Sequence, residues 1–298
     1  TKFRCIGRGA CGSVWGEGEV GTPADMQIAV KREDGHSSRS VENDINMHRR
    51  VFPGFENLSV RITTPFDLIA PREGNPYADR FPDGFSSACR MITTERIPAF
   101  PRDVREMLID RYCPAKLQDF VKGNRDDEDC LVRPYLGRRR RVGGTESRFQ
   151  RFSLRNYALH VDQMEELSLN TPAYARAMAD ALAEMHWRAK VDANDVEFVL
   201  APPRRLPDQR AASFESDCLG QHYLWLLDFD CCLDMSMDEK GIDQAVQAFF
   251  RNDLYYPRPY GRTPQDRHLW EVFSARFLER SKPIRDDDLP AMFIRKIE

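Results

Sequence analysis

The first fifty residues restrict the fold more than any other stretch. Phe3-Arg-Cys-Ile-Gly-Arg-Gly-Ala-Cys-Gly-Ser-Val-Trp15 sets glycines at 7, 9 and 12, with Val14 after them, between two apolar runs of strand type. A dinucleotide fingerprint needs a helix to open directly behind such glycines. Here a second strand follows, then polar turn residues, then Gln27-Ile-Ala-Val-Lys31, which reads as a third strand carrying a lysine. Ser37–Val51 reads as a helix, with serines for its cap and Val41, Ile45, His48 and Val51 at helical spacing. Within it Glu42 is placed to pair with Lys31; the alternative is a solvated helix face. The chain opens on Thr1 already inside this pattern, which reads as a piece of a longer protein.

Residues 57–98 read as further strands ending in Arg90–Glu95. Ile97-Pro-Ala-Phe-Pro101 reads as a hinge, because its two prolines stop both a helix and a central strand. Helices are expected over Val104–Tyr112, Thr171–Arg188, Ile242–Phe250 and Leu269–Leu278. In the second of these Thr171 serves as cap, Pro172 lies in the first turn, and Tyr174, Met178, Leu182 and Met185 share one face. It delivers His186 to a polar loop, where a histidine either orients the backbone or takes part in chemistry.

Two strands, Val196–Leu200 and Leu224–Leu227, follow from unbroken runs of β-branched, aromatic and aliphatic residues. They present Asp192, Asp195, Asp228 and Asp230 at their ends. Carboxylates gathered in this way repel one another unless a cation, a metal or a basic ligand neutralises them, so the cluster marks a candidate site. Ala201–Tyr223, rich in Pro and Arg, reads as a long loop near it, and Cys231 and Cys232 as buried small residues.

Composition narrows the class. The 298 residues suffice for one large or two modest domains, with 41% apolar residues and a formal charge of −3. Of the 44 basic residues 36 are Arg, a residue suited to binding phosphate and carboxylate bidentately, although codon bias gives the same excess. Arg138 to Arg141 form an unbroken run. Arg148, Arg151 and Arg155 continue it, interleaved with Phe149, Phe152 and Tyr157, which is the composition of a nucleic-acid surface. The alternative is a basic loop neutralised by the acidic stretch Asn124–Asp129. The eight cysteines include no C-x-x-C pair and have no His at zinc-finger spacing, so no metal is expected. No signal peptide is evident and no apolar run approaches the ~20 residues that span a bilayer. A cytoplasmic protein with reduced thiols and no membrane partner is expected.

Gly7, Gly9, Gly12, Val14, Lys31, Glu42, the His186 loop and Asp228-Phe-Asp230 together resemble a two-lobed, protein-kinase-like or aminoglycoside-phosphotransferase-like fold. The resemblance implies an α+β architecture with a small β-rich lobe over 1–98 and a larger, mainly helical lobe over 99–298. The larger lobe carries the basic insertion near 124–155 and the loop 201–223. The pattern departs from kinases in the loop after His186, where the positions of the base and the metal-binding Asn hold Arg188 and Ala193. Allowing two extra residues brings Asp195 to the Asn position and leaves Asp192 as the nearest carboxylate to a base. Asp230 also stands where kinases have glycine.

Cys130-Leu-Val-Arg-Pro-Tyr-Leu-Gly-Arg, Leu154-Arg-Asn-Tyr-Ala-Leu-His, Met185-His-Trp-Arg-Ala, Asp195-Val-Glu-Phe-Val-Leu and Tyr255-Tyr-Pro-Arg-Pro resemble a fungal domain-of-unknown-function family that includes the arginine-containing cyclodipeptide synthases. That resemblance implies natural-product biosynthesis, in which arginyl-tRNA and a second aminoacyl-tRNA condense into a diketopiperazine. Asp192, Asp195, Asp228, Asp230 and His186 are then expected at the catalytic centre. Glu197, Lys31, Glu42, Gly7, Gly9 and Gly12 would bind substrate. Arg138, Arg139, Arg140, Arg141, Arg148, Arg151 and Arg155 would bind tRNA, with no DNA partner. No cofactor is implied, because an aminoacyl ester is already activated. The alternatives are a phosphotransferase, which requires ATP and Mg²⁺, and a pseudokinase-like binding module.

Overall fold

The computed structural model describes residues 2–17, 27–140, 152–203 and 213–298. It is an α+β chain whose strands form two sheets. In chain order the strands of the first sheet are β1 (Phe3–Arg8), β2 (Ser13–Glu17) and β3 (Ile28–Arg32). Helix α1 (Val41–Val51) and strand β4 (Val60–Ile62) come next, then β5 (Pro65–Ile69) and β6 (Met91–Glu95). The first sheet runs β1-β2-β3-β6-β5 and is antiparallel throughout.

Strand alternation assigns the two faces of this sheet. Phe3, Trp15, Val30, Ile69 and Met91 point to one side and pack with Phe81. Val14, Lys31 and Ile92 are neighbours across the register on the other. There Ile92 packs with Val41 and Ile45 of α1. The helix starts four residues later than the sequence suggests, at Val41, because Ser40 rather than Ser37 accepts the capping bond from the Asn43 amide.

Helices α2 (Arg102–Tyr112) and α3 (Gln118–Gly123) precede strands β7 (Val132–Tyr135) and β8 (Tyr157–His160). Then come α4 (Val161–Glu166), α5 (Thr171–Ala183), β9 (Glu197–Ala201), β10 (Phe214–Ser216) and β11 (Gly220–Leu227). The chain closes with α6 (Glu239–Arg251), α7 (Pro264–Ser281) and α8 (Leu289–Ile297). Strands β10-β11-β9-β7-β8 form the second sheet, and β4 adds to it in parallel beside β11.

Three expectations change here. Residues 57–98 do not all serve the first sheet, because Val60 and Ile62 bury their side chains in the large core that β11 and the later helices share. Ala201–Tyr223 is no plain loop: β10 and the start of β11 pair as a hairpin, with Ser216 opposite Gly220. The helix expected over Thr171–Arg188 stops at Ala183 and continues as a single π-helical turn, Glu184–Arg188, while its cap is Asn170, one residue earlier than expected. The hinge residues Ile97–Pro101 form no helix or strand. No described helix is long and apolar enough to cross a membrane.

Candidate functional site

A cleft with about 1190 Å³ of empty space, counting its open mouth, lies against the Lys31 face of the first sheet. The β1–β2 hairpin covers it, and Gly7, Gly9 and Gly12 all line it. Only Gly12 is sterically indispensable: its φ is +154°, and a Cβ there would meet the Arg32 carbonyl at 1.9 Å. The hairpin tip is tied down. Asp34 accepts from the Ser13 amide at 2.7 Å, and the His36 amide donates to the Ala10 carbonyl at 2.7 Å.

Lys31 reaches from β3 into the cleft and is clasped by two carboxylates, Asp44 at 2.6 Å and Asp228 at 2.7 Å. Burial alone would disfavour its charge, but Asp44 and then Asp228 reverse the balance, so the ammonium is held well above its ordinary range. The expected partner Glu42 is a correction. It lies half exposed, 3.4 Å from Arg90. Residues two apart on a helix point to opposite sides, and Asp44, not Glu42, shares the buried face with Val41, Ile45 and His48. Asp44 also accepts from the Phe229 amide at 3.1 Å. Phe229 is fully buried and stacks on His48 at 5.1 Å. The Asp228-Phe-Asp230 segment is thereby fixed to α1.

The carboxylates expected to share one cleft separate into three environments. Asp228 and Glu197 line the cleft, whereas Asp192, Asp195 and Asp230 do not. Asp195 and Asp230 instead grip Arg39, whose Nη1 lies 2.6 Å from one and 2.9 Å from the other and also contacts the Cys231 thiol. Asp192 is turned inward: it accepts from the Asn194 and Leu233 amides at 3.1 and 2.9 Å and from the Gln244 side chain at 2.8 Å. With its lone pairs committed to the loop, Asp192 is corrected from candidate base to structural brace. His186 is corrected likewise. It is completely buried against Trp187, Phe277 and Phe293, and burial drives its imidazole down to about 3, so it stays neutral.

The cation that the carboxylate cluster requires is thus supplied by the chain itself, through Lys31 and Arg39. Asp195 and Asp228 both hold positive φ, +62° and +66°, a backbone state that non-glycine residues keep only when their surroundings enforce it. Asn252 enforces the first by accepting from the Asp195 amide at 2.6 Å and donating to the Ala193 carbonyl at 2.9 Å.

Glu197 is the distinctive group of the cleft floor. Both its oxygens accept from Arg133 Nη2. Burial raises its carboxyl and Asp228 adds to that, outweighing Arg133, so that it titrates at about 7. Arg133, Arg39, Asp44 and Asn252 were missed in the sequence. Asp44 was discernible from the helical register, whereas no local signal marks the other three.

Carboxylates already engage part of the basic region. Arg139 binds Glu165 at 2.6 and 2.7 Å and Asp266 at 2.7 Å. Arg140 binds Asp162 and Glu166, each at 2.6 Å, and lies over Tyr112. Arg155 pairs with Asp126 at 3.3 Å. These three are already neutralised, whereas Arg138 is exposed and makes no ion pair with another described residue. Arg141, Arg148 and Arg151 lie outside the described residues. The acidic stretch has its own partners: Asp129 is held by Arg4 and by Arg96, the latter at 2.8 Å, and ties β1 to the segment before β7.

Among the described residues one set brings three metal-type donors together, Asp195, Asp230 and Cys231, with ligand atoms within 4.8 Å of one another. The Arg39 guanidinium contacts all three of these residues.

Comparison with known proteins corrects the expected family. The match found is to the DUF3669 family model, described as "Zinc finger protein", over residues 224–288. Neither a kinase-like nor a cyclodipeptide synthase family is found. The match covers a minor part of the chain. Its Cys231, Cys232 and His268 do not meet: the Cys232 thiol is directed to the Asn194 carbonyl, and His268 faces Glu271. No curated protein matches the chain.

Proposed function

We propose that the chain is an aminoacyl-tRNA-dependent transferase that condenses an arginyl ester with a second aminoacyl ester into a diketopiperazine. In this reading it uses a two-lobed, kinase-like frame, with residues 1–98 as the small lobe and 99–298 as the large one. The frame is supported by the glycine hairpin over the cleft, by Lys31 paired to a carboxylate of the following helix, and by Asp228 at the end of β11.

The observation that carries the reaction is Glu197, a carboxylate on the cleft floor titrating at about 7. A carboxylate raised by burial toward neutral pH accepts and returns a proton more efficiently than an ordinary one. The α-amine of one aminoacyl group attacks the ester carbonyl of the other. The C–N bond forms, the C–O bond to the ribose breaks, and the proton lost by the amine passes through Glu197 to the departing ribose oxygen. A second, intramolecular aminolysis closes the ring. Orientation within a cleft supplies effective molarities of roughly 10⁵ M or more for such steps, so no nucleotide or metal is required.

The phosphotransferase reading is less well supported. The nearest candidate base, Asp192, is spent on backbone amides. The test is mass spectrometry of small molecules from a host expressing the chain, and from purified protein given charged tRNA. Arginine-containing diketopiperazines are expected, at least 100-fold reduced in Glu197→Gln. Micromolar binding and turnover of ATP with Mg²⁺ by calorimetry, without such products, establishes the phosphotransferase instead. Neither activity leaves a binding module.

A further inference from the structure

We propose that Arg4 and Asp129 form a latch that holds the β1–β2 hairpin shut over the cleft, and that the hairpin opens when Arg4 leaves while Arg96 keeps the carboxylate paired. Arg4 on β1 grips Asp129 with both terminal nitrogens, Nη2 at 2.9 Å. Arg96, next to the hinge, donates to the same carboxylate at 2.8 Å. Arg96 and Asp129 both line the cleft. The Phe100 amide of the hinge donates at 3.1 Å to the carbonyl of Cys130, the residue after Asp129. The hairpin, the hinge and the cleft wall thus meet at one buried carboxylate.

The two edges of the first sheet are held by different physics. On the β5 side Leu68 packs with Val41 and Ile45 of α1. That helix is anchored in turn: Val51 belongs to the large core, and the Asn43 side chain donates to the Asp230 and Cys232 carbonyls at 2.9 and 3.0 Å. Strand β4, just before β5, is part of the second sheet. The β1 side has no such anchor. Phe3 and Trp15 pack in the cluster around the first sheet, and no apolar side chain of β1 or β2 belongs to the large core or to the cluster that includes Leu131 and Leu227. What joins β1 to described residues beyond the hinge is polar. Besides Arg4 it is Arg155, which donates to the Cys5 carbonyl at 3.4 Å and pairs with Asp126 at 3.3 Å. Both positions of the latch are sustainable. With Arg4 gone, Arg96 still neutralises Asp129, so opening strands no buried charge. With Arg4 in place, its Nε is buried without a partner, a cost that the closed state carries and that water removes on opening. Rotation about Ile97–Pro101, with α1 fixed, then widens the cleft beneath the hairpin.

The latch rests on this geometry and not on the proposed reaction, and its test needs no substrate. Genetically encoded spin labels are placed at Gly9, where a side chain meets nothing within 4 Å, and at the exposed Asp119 of α3. Double electron–electron resonance then reports the distance between the hairpin and the later part of the chain. Loss of a hydrogen bond to a charged group shifts a two-state equilibrium about 10-fold or more, and Arg4→Met should raise the longer-distance fraction by that factor. Arg4→Lys keeps the charge but loses the guanidinium fork, so it should fall between Arg4→Met and the natural chain. Arg96→Met should keep the short distance, since Arg4 still holds Asp129. An unchanged distance distribution in Arg4→Met, or in Arg4→Lys should Arg4→Met not fold, overturns the proposal. So does an Arg96→Met protein that opens as far as Arg4→Met. Absence of diketopiperazines from the natural chain removes the proposed reaction and leaves these distances as they are.

Discussion

Replacing Asp44 with Ala tests the central network most directly. The substitution strips Lys31 of its nearer carboxylate and leaves the Phe229 amide without its acceptor. Breaking one side of a buried ion pair costs about 3 to 5 kcal/mol, and an orphaned buried amide about 1 to 3 kcal/mol. The two losses overlap, and Lys31 keeps Asp228, so about 3 to 5 kcal/mol in total is expected. At roughly 2 °C per kcal/mol for a chain of this size, the unfolding midpoint drops by about 6 to 10 °C. Glu42→Ala provides the contrast: its side chain is half exposed and 3.4 Å from Arg90, a pair worth under about 1 kcal/mol. Because Lys31 is held above its unfolded value of 10.5, its stabilising contribution is fully present below that pH and is lost only as pH rises through the higher, folded value. The Asp44→Ala deficit should therefore be constant from pH 6.5 to 9. Differential scanning calorimetry of both variants across that range is the assay. Equal losses in the two variants, or a larger loss in Glu42→Ala, would refute the reasoning.

Glu197 predicts a loss in a lower pH window. Its folded value near 7 exceeds the ordinary 4.5, so the native state holds the extra proton between those values and stability falls as pH rises through the window. Urea unfolding at pH 4.5 and 8 should show a decline of about 1 to 3 kcal/mol from this group, absent in Glu197→Gln. Asp192→Ala should cost about 2 to 4 kcal/mol by the same measurement, since three donors lose their acceptor; an unchanged midpoint would return Asp192 to the candidates for chemistry. Arg139→Ala with Arg140→Ala should change the salt slope of tRNA binding by well under one unit in a filter-binding series, whereas two phosphate-binding arginines would change it by about two.

The local order of the N-terminal half was legible because it rests on periodicity. The glycines at 7, 9 and 12 between two strand-like runs marked a hairpin, and the third run marked a strand carrying Lys31; that Gly12 alone of the three is sterically required came from the structure. The buried face of α1 was legible too, and following its register one step further identifies Asp44: the expected pairing to Glu42 failed because a carboxylate was matched by type and not by face. Both ends of β9 and the C-terminal end of β11 were placed within a residue by their apolar runs, and with them Glu197 and Asp228, whereas β11 starts four residues before the expected Leu224. The destination of Ala201–Tyr223 was hidden, since its hairpin depends on pairing across Ser216 and Gly220 and not on an uninterrupted apolar run.

What the sequence by itself determined is that a group of carboxylates must be met by positive charge, because electrostatic repulsion follows from proximity alone. Which charge meets which carboxylate was decided only by tertiary structure. Arg39 lies 156 residues from Asp195 and 191 from Asp230, and Arg133 lies 64 from Glu197. Such pairings leave no periodic trace in the chain, since they are fixed by how the segment before α1, β7, β9 with the loop before it, and the loop after β11 come to rest against one another. The same physics explains the arginine run. Its composition matches a polyanion surface, yet α4 and α7 bring carboxylates to Arg139 and Arg140 first, and a guanidinium already paired has little charge left to offer a phosphate.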